Sequence, residues 1–184
     1  MALLETPSAN NDFTAPDFTL KNIDGQMMGY SDIKGENGTL LLFICNHCPY
    51  VKAIIGRLVA DCKALQDKGI GIAAIMPNDT DNYPKDSFDN MKIFAKDNGF
   101  TFPYLIDETQ DIAKAYDAVC TPDLFGFNAQ SVLKYRGRCD SAGPKPADST
   151  TIRELLNAMS DIAQTGQSPA KQFPSIGCSI KWKS

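Results

Sequence analysis

A chain of 184 residues, 43% apolar and 22% charged, has the composition of an ordinary folded protein and the length to bury a real core. Its net charge of −4 offers no basic stripe for nucleic acid, and no stretch nears the ~18 apolar residues of a bilayer span. The start, Met1-Ala-Leu-Leu-Glu-Thr-Pro7, lacks the basic and apolar regions of a secretory leader, so a cytoplasmic protein with no membrane partner is expected.

Residues 13–33 hold Phe13, Phe18, Leu20 and Ile23 around Asp24-Gly25, which predicts a short hairpin. Thr39–Ile44 is a continuous apolar run of strand length, the pattern of a strand buried on both faces. Val51, Ile54, Ile55, Leu58, Val59, Cys62 and Leu65 then form one helical stripe that ends at Lys68-Gly69. Ile70–Met76 reads as a second buried strand, so the three segments make a βαβ unit with a parallel pair.

A second helix is expected over Pro84–Asn98, a short strand at Tyr104–Ile106 and a short helix over Asp111–Val119. Leu124–Asn128 and Val132–Arg136 flank a turn and predict an antiparallel hairpin. Thr150–Gln164 carries Ile152, Leu155, Leu156, Met159 and Ile162 on one face, a final helix. An irregular tail with Pro169, Pro174, Cys178 and Trp182 follows, its apolar residues Ile176, Ile180 and Trp182 expected to pack onto the domain. The order predicts an α/β chain of thioredoxin topology: a central mixed sheet flanked by helices, with an N-terminal β-hairpin and a C-terminal extension. A single domain over 1–184 is expected, its core at about 13–165 and its tail at 166–184.

Cys45-Asn-His-Cys48 stands where the first buried strand hands over to the long helix. In a reducing compartment six cysteines read as reactive thiols or core residues rather than structural staples. A helix start offers unpaired N–H groups and the positive end of the dipole, both of which favour a thiolate. An unperturbed thiol of pKa about 8.5 is roughly 3% ionised at pH 7, and lowering it to about 7 ionises half. Cys45 is therefore expected to be the exposed, ionised, attacking sulfur, and Cys48 the buried partner that resolves a mixed disulfide. Pro49 suits the first helical turn. A zinc or copper site and a structural disulfide are the other readings of the pair. No second ligand pair at matching spacing accompanies it, and His47 is the one histidine, so no metal ligands are assigned. His47 is either a solvent-facing spacer or a cation that favours the Cys45 thiolate.

Cys45-Asn-His-Cys-Pro-Tyr-Val51, Cys120-Thr-Pro-Asp123 and the tail Pro174-Ser-Ile-Gly-Cys-Ser-Ile-Lys-Trp182 together resemble thioredoxin-like proteins. The branch is that of alkyl hydroperoxide reductase and thiol-specific antioxidant (redoxin), often described as thiol-disulfide isomerases. The resemblance implies a cis bond at Thr121-Pro122 facing the disulfide. That bond would expose the Thr121 backbone for pairing with a substrate strand, so Thr121, Pro122 and His47 become candidate substrate-binding residues. It also implies a disulfide-bearing protein or small molecule as partner, with a thiol reductant system, and no cofactor.

Two departures narrow this. The peroxiredoxin pattern Pro-x-x-x-Thr-x-x-Cys is not met: aligned on Cys48 it falls on Leu41 and Cys45, aligned on Cys45 on Gly38 and Leu42. Thiol peroxidase therefore stays an alternative, beside a zinc- or copper-binding module using Cys45 and Cys48 with Cys120 or Cys178. Where thioredoxins carry a tryptophan before the first cysteine and an aspartate six residues before it, this chain has Ile44 and Thr39. Of the remaining cysteines, Cys62 lies on the helical stripe and reads as core, Cys139 has no assigned role, and Cys120 and Cys178 are candidate accessory redox thiols. The polar loop Pro77–Asp86 is expected to be solvated, though it follows a strand's C-terminal end, where α/β sites gather.

Overall fold

Both faces of the first buried strand, β4 (Gly38–Phe43), are covered, which explains its unbroken apolar run. Leu40, Leu42 and Ile44 face one apolar cluster, and Leu41 and Phe43 face the other. The structure is a computed structural model that describes residues 2–168 and 171–183; Met1, Pro169, Ala170 and Ser184 lie outside the described residues.

In chain order the other elements are β1 (Leu3–Glu5), β2 (Thr19–Asn22), β3 (Met27–Gly29), α1 (Tyr30–Ile33), α2 (Pro49–Gln66), β5 (Ile70–Met76), α3 (Phe88–Asp97) and β6 (Tyr104–Ile106). These are followed by α4 (Asp111–Ala115), β7 (Cys120–Thr121), β8 (Asp123–Phe127), β9 (Leu133–Arg136), α5 (Glu154–Thr165) and β10 (Ile176–Ser179). A seven-stranded sheet runs β3-β2-β6-β5-β4-β8-β9. Strand β4 pairs parallel with β5 and antiparallel with β8, so the sheet is mixed. Side chains of α2, α3 and α5 join Leu40 and Leu42 in one cluster, while Tyr30, Ile33 and Ala113 of α1 and α4 join the other. This is the thioredoxin-like layering expected, with β4 an interior strand between β5 and β8. Among the described residues no helix is long and apolar enough to cross a membrane.

The structure shortens three predicted helices. Ser87 is extended (φ −56°, ψ 155°) and its hydroxyl accepts from Asn90 N–H, so the Pro84–Asn98 segment divides into a 3₁₀ turn, Pro84–Asp86, and α3. Asp148 accepts from the N–H and the hydroxyl of Thr150 at 2.8 and 2.7 Å, a local turn that delays α5 to Glu154. Helix α4 stops at Ala115, since Asp117 takes a left-handed φ of 51°.

The larger departure is in the tail, where Ile176–Ser179 form a strand. Strand β10 lies between β1 and β7 in a separate antiparallel sheet, with Cys178 opposite both Leu3 and Thr121. Of the apolar tail residues only Ile180 is buried, whereas Ile176 and Trp182 remain exposed. Their expected burial is therefore corrected: Ile176 is the first residue of the strand, and Trp182 lies beyond its end at Ser179.

Next to β7, the buried pair Arg136–Asp123 ties β9 to β8. Arg136 Nε and Nη2 donate to the two Asp123 oxygens at 3.1 and 2.8 Å, and Nη2 also reaches Asp117 O at 2.7 Å. Removing one member of such a pair strands the other charge in a low dielectric. Arg136→Met is expected to lower the unfolding free energy in urea by about 3–5 kcal/mol; a loss under about 1 kcal/mol would show that water reaches Asp123 in the folded state.

Candidate active site

Helix α2 starts directly after Cys48, which is its N-cap, with Pro49 at the first helical position. Cys45 sits three residues earlier, in the loop leaving β4. The fold brings both sulfurs to one residue of the segment across the sheet. Cys45 Sγ is 3.4 Å from Thr121 Oγ1, and Cys48 Sγ is 3.1 Å from Thr121 O. Neither thiol is open to solvent: Cys45 is 1% and Cys48 0% exposed. The expectation of an exposed Cys45 is thus corrected, because the loop and β7 close over it.

The pair also divides its ionisation opposite to expectation. Cys48 is drawn well below the usual thiol range, first by the neighbouring Cys45 thiol and then by the backbone at Val51, against the opposing effect of burial. Cys45 is pushed up, first because its proton is held on the bond to Cys48, then by burial and by the Asp86 carboxylate. The Thr121 carbonyl pulls the other way, since it accepts from Cys48 when that sulfur is protonated. The net direction still puts the lower pKa on the sulfur at the helix cap. Helix-start electrostatics act over about one turn, and Cys45 lies outside it.

The loop itself is held by a residue in the segment expected to be solvated. Asp86 is fully buried. Its Oδ1 accepts from Asn46 N at 2.9 Å and His47 N at 3.3 Å, and its Oδ2 from His47 Nδ1 at 2.6 Å and Asn78 Nδ2 at 2.9 Å. Tyr104 OH donates to Asn46 Oδ1 at 2.9 Å, and Asn46 Nδ2 donates to Lys85 O at 3.2 Å. His47 is half-buried and stacks on Tyr83, ring centroids 5.9 Å apart at 8°. It is therefore no solvent-facing spacer: its Nδ1 proton is committed to Asp86, with Cys45 Sγ 3.9 Å from the same nitrogen. The sequence reading missed Asp86; its one available signal was position, on the loop leaving the strand beside β4.

Cys45, His47 and Asp86 place a sulfur, a nitrogen and an oxygen within 4.8 Å of one another. This donor set suits zinc or copper, and it differs from the Cys120 or Cys178 ligands expected for a metal module. Both Asp86 oxygens already carry hydrogen bonds, so binding a metal would require breaking part of the loop's anchor.

Thr121-Pro122 is a cis peptide bond. The backbone of Thr121 is not an open edge, however: it is buried and paired with Cys178 of β10, so the expected free docking edge is corrected. Cys120 is buried with its S–H on Pro122 O at 3.5 Å, its thiol pushed well up by burial. Cys62 is core, as expected, and Cys139 donates to Asp61 Oδ2 at 3.9 Å. A cleft of about 440 Å³ opens beside Pro122, between Tyr50, Ile54, Arg138 and the approach to β10 at Pro174 and Ile176.

Residues 13–136 match the model of the AhpC/TSA family, well over half of the chain. The chain belongs to the AhpC/TSA family. The match includes Cys45, His47, Cys48, Asp86 and Cys120–Pro122 and stops short of Cys178. A curated relative, the thiol-disulfide oxidoreductase ResA of Bacillus subtilis, is 28% identical over 116 residues, 63% of this chain and 60% of that protein. The chain thus spans about three-fifths of that relative's length. An uncharacterized conserved protein from Geobacillus kaustophilus is 42% identical with a TM-score of 0.91, covering 100% of this chain and 97% of the other. A hypothetical protein from Sinorhizobium meliloti is 32% identical with a TM-score of 0.92, covering 98% of each. The thioredoxin domain of a thiol-disulfide oxidoreductase from Bacteroides vulgatus shares the fold at 17% identity and TM-score 0.59, over 70% and 89% of the chains.

For this AhpC/TSA chain the charge assignment is directly measurable. Thiolate absorbance at 240 nm should show a single thiolate in the reduced protein near pH 7, kept in Cys45→Ser, whose hydroxyl still donates, and lost in Cys48→Ser. The reverse pattern would put the charge on Cys45. A group depressed in the folded state adds stability that is complete above its unfolded value. The stability gap between reduced wild type and Cys48→Ser should therefore widen as pH rises toward the unfolded thiol's pKa of about 8.5 and narrow on acidification.

Proposed function

We propose that the protein is a thiol-disulfide oxidoreductase in which Cys45 and Cys48 cycle between dithiol and disulfide. One observation carries the reading: the two sulfurs meet at the entrance of α2 against the cis Thr121-Pro122 segment, 3.4 and 3.1 Å from Thr121 Oγ1 and O. The Cys48 thiolate supplies the base that Thr39 cannot, since a threonine hydroxyl does not take up a proton near neutral pH. Cys48 takes the Cys45 proton, and the Cys45 thiolate attacks one sulfur of a client disulfide, expelling the other as a thiolate. Cys48, once deprotonated, then attacks Cys45, which breaks the mixed disulfide, forms Cys45–Cys48 and releases the second client thiolate. The client gains two electrons and the pair loses two. A thiol reductant returns the pair to the dithiol. His47, fixed by Asp86, and the cis-proline segment shape the approach to Cys45. ResA's named activity and the family match support the same class of chemistry.

Insulin reduction with dithiothreitol tests this. Cys45→Ser and Cys48→Ser should each lower the rate by more than about a hundredfold, and Cys48→Ser should accumulate a client mixed disulfide on Cys45. Full activity in both variants would refute the assignment. Asp86→Ala should leave two buried backbone N–H groups unpaired and lower stability by about 2–5 kcal/mol, read by urea unfolding, with faster proteolysis in the 45–48 loop.

A further inference from the structure

The tail Ser175-Ile-Gly-Cys-Ser179 is fitted to the cis-proline segment in detail. Ser175 Oγ donates to Pro122 O at 2.8 Å, and the Ser175 backbone exchanges bonds with Thr6: its N–H to Thr6 Oγ1 at 2.9 Å, its carbonyl from Thr6 N at 3.0 Å. A Cβ on Gly177 would lie 2.2 Å from Thr121 O and 2.6 Å from Thr121 C, so only glycine admits this approach. The next residue, Cys178, stands opposite Thr121 in the ladder. Cys48 Sγ lies 3.1 Å from the carbonyl of that same Thr121, and Cys45, Cys48 and Cys178 are buried in one apolar cluster.

The geometry points to β10 as an internal client strand: it fills the edge a substrate strand would use and presents Cys178 as a third redox thiol that exchanges with the Cys45–Cys48 disulfide. This rests on the reading of Cys45 and Cys48 as a redox couple. In the exchange Cys178 Sγ attacks Cys48 Sγ, the Cys45–Cys48 bond breaks and a Cys48–Cys178 bond forms. The Cys178 proton passes to the released Cys45 sulfur; no electrons are gained or lost. In the reduced protein burial pushes the Cys178 thiol up to about 11, so its proton must leave as the sulfur attacks. The product tethers β10 over the site and leaves Cys45 free beside His47 and Asp86. Cys120, although adjacent, is turned to Pro122 O, and Cys139 to Asp61.

The test is disulfide mapping after diamide oxidation, alkylation and trypsin digestion of wild type and Cys45→Ser, each native and in denaturing urea. Cys45 and Cys48 share peptide 35–52, Cys178 lies in 172–181, and Cys62, Cys120 and Cys139 lie in 58–63, 115–134 and 139–153. Native samples of both proteins should give 35–52 linked to 172–181 as the dominant link between peptides, and urea should scatter links over all five. A native wild type holding only the bond internal to 35–52, with no 172–181 link in Cys45→Ser, would overturn the proposal and leave the redox couple intact. Scattered links in native samples would overturn it equally. Absence of any disulfide in 35–52, together with inactivity on insulin, would remove both readings.

Discussion

Asp86 carries a carboxylate with no exposure to solvent, and four donors converge on its two oxygens. Burying a carboxylate without partners costs several kcal/mol, so a side chain in this position persists only where its donors are held for it. Two of those donors are backbone N–H groups of Asn46 and His47, the residues between the cysteines. The anchoring is mutual: the loop satisfies the carboxylate, and the carboxylate fixes the turn that leads from β4 into α2. Everything about the sulfurs follows from that turn. It sets Cys48 at the helix cap and Cys45 short of it, and it turns both toward Thr121.

The same geometry explains why the charge favours the inner sulfur. Cys48 caps α2, whereas Cys45 lies before the helix and faces the Asp86 carboxylate that anchors its own loop. Both sulfurs are buried, and β10 pairs with the segment that carries the cis-proline bond beside them. The sheet β1-β10-β7 joins the two ends of the described chain directly above the site, so the termini are part of its architecture.

Much of the scaffold was readable in the chain. The two-sided burial of β4 and β5, the stripe on α2 and the turn residues of the β8–β9 hairpin are local patterns, and each appears where the pattern lies. The helix ends at Ser87, Asp117 and Asp148 were not readable, because short side chains that bond nearby backbone compete with helix on margins of about 1 kcal/mol. The tail was misread for a different reason. Ile176-Gly-Cys-Ser179 has no alternation long enough to announce a strand, and its pairing partners lie at Leu3–Glu5 and Cys120–Thr121, at distances in sequence that no window spans.

The amino-acid sequence by itself determined the strand-to-helix junction and the two cysteines on it, because hydrophobic period and the position of Pro49 are properties of neighbouring residues. The cis bond at Thr121-Pro122 came from the resemblance of its motif; the local pattern says only that a proline opens a strand. Which sulfur holds the charge, which carboxylate is buried and which strand covers the site were decided only by tertiary structure. Each depends on groups tens of residues apart meeting where water is excluded, and there a hydrogen bond or a charge within a few ångströms outweighs any preference the chain carries along its length.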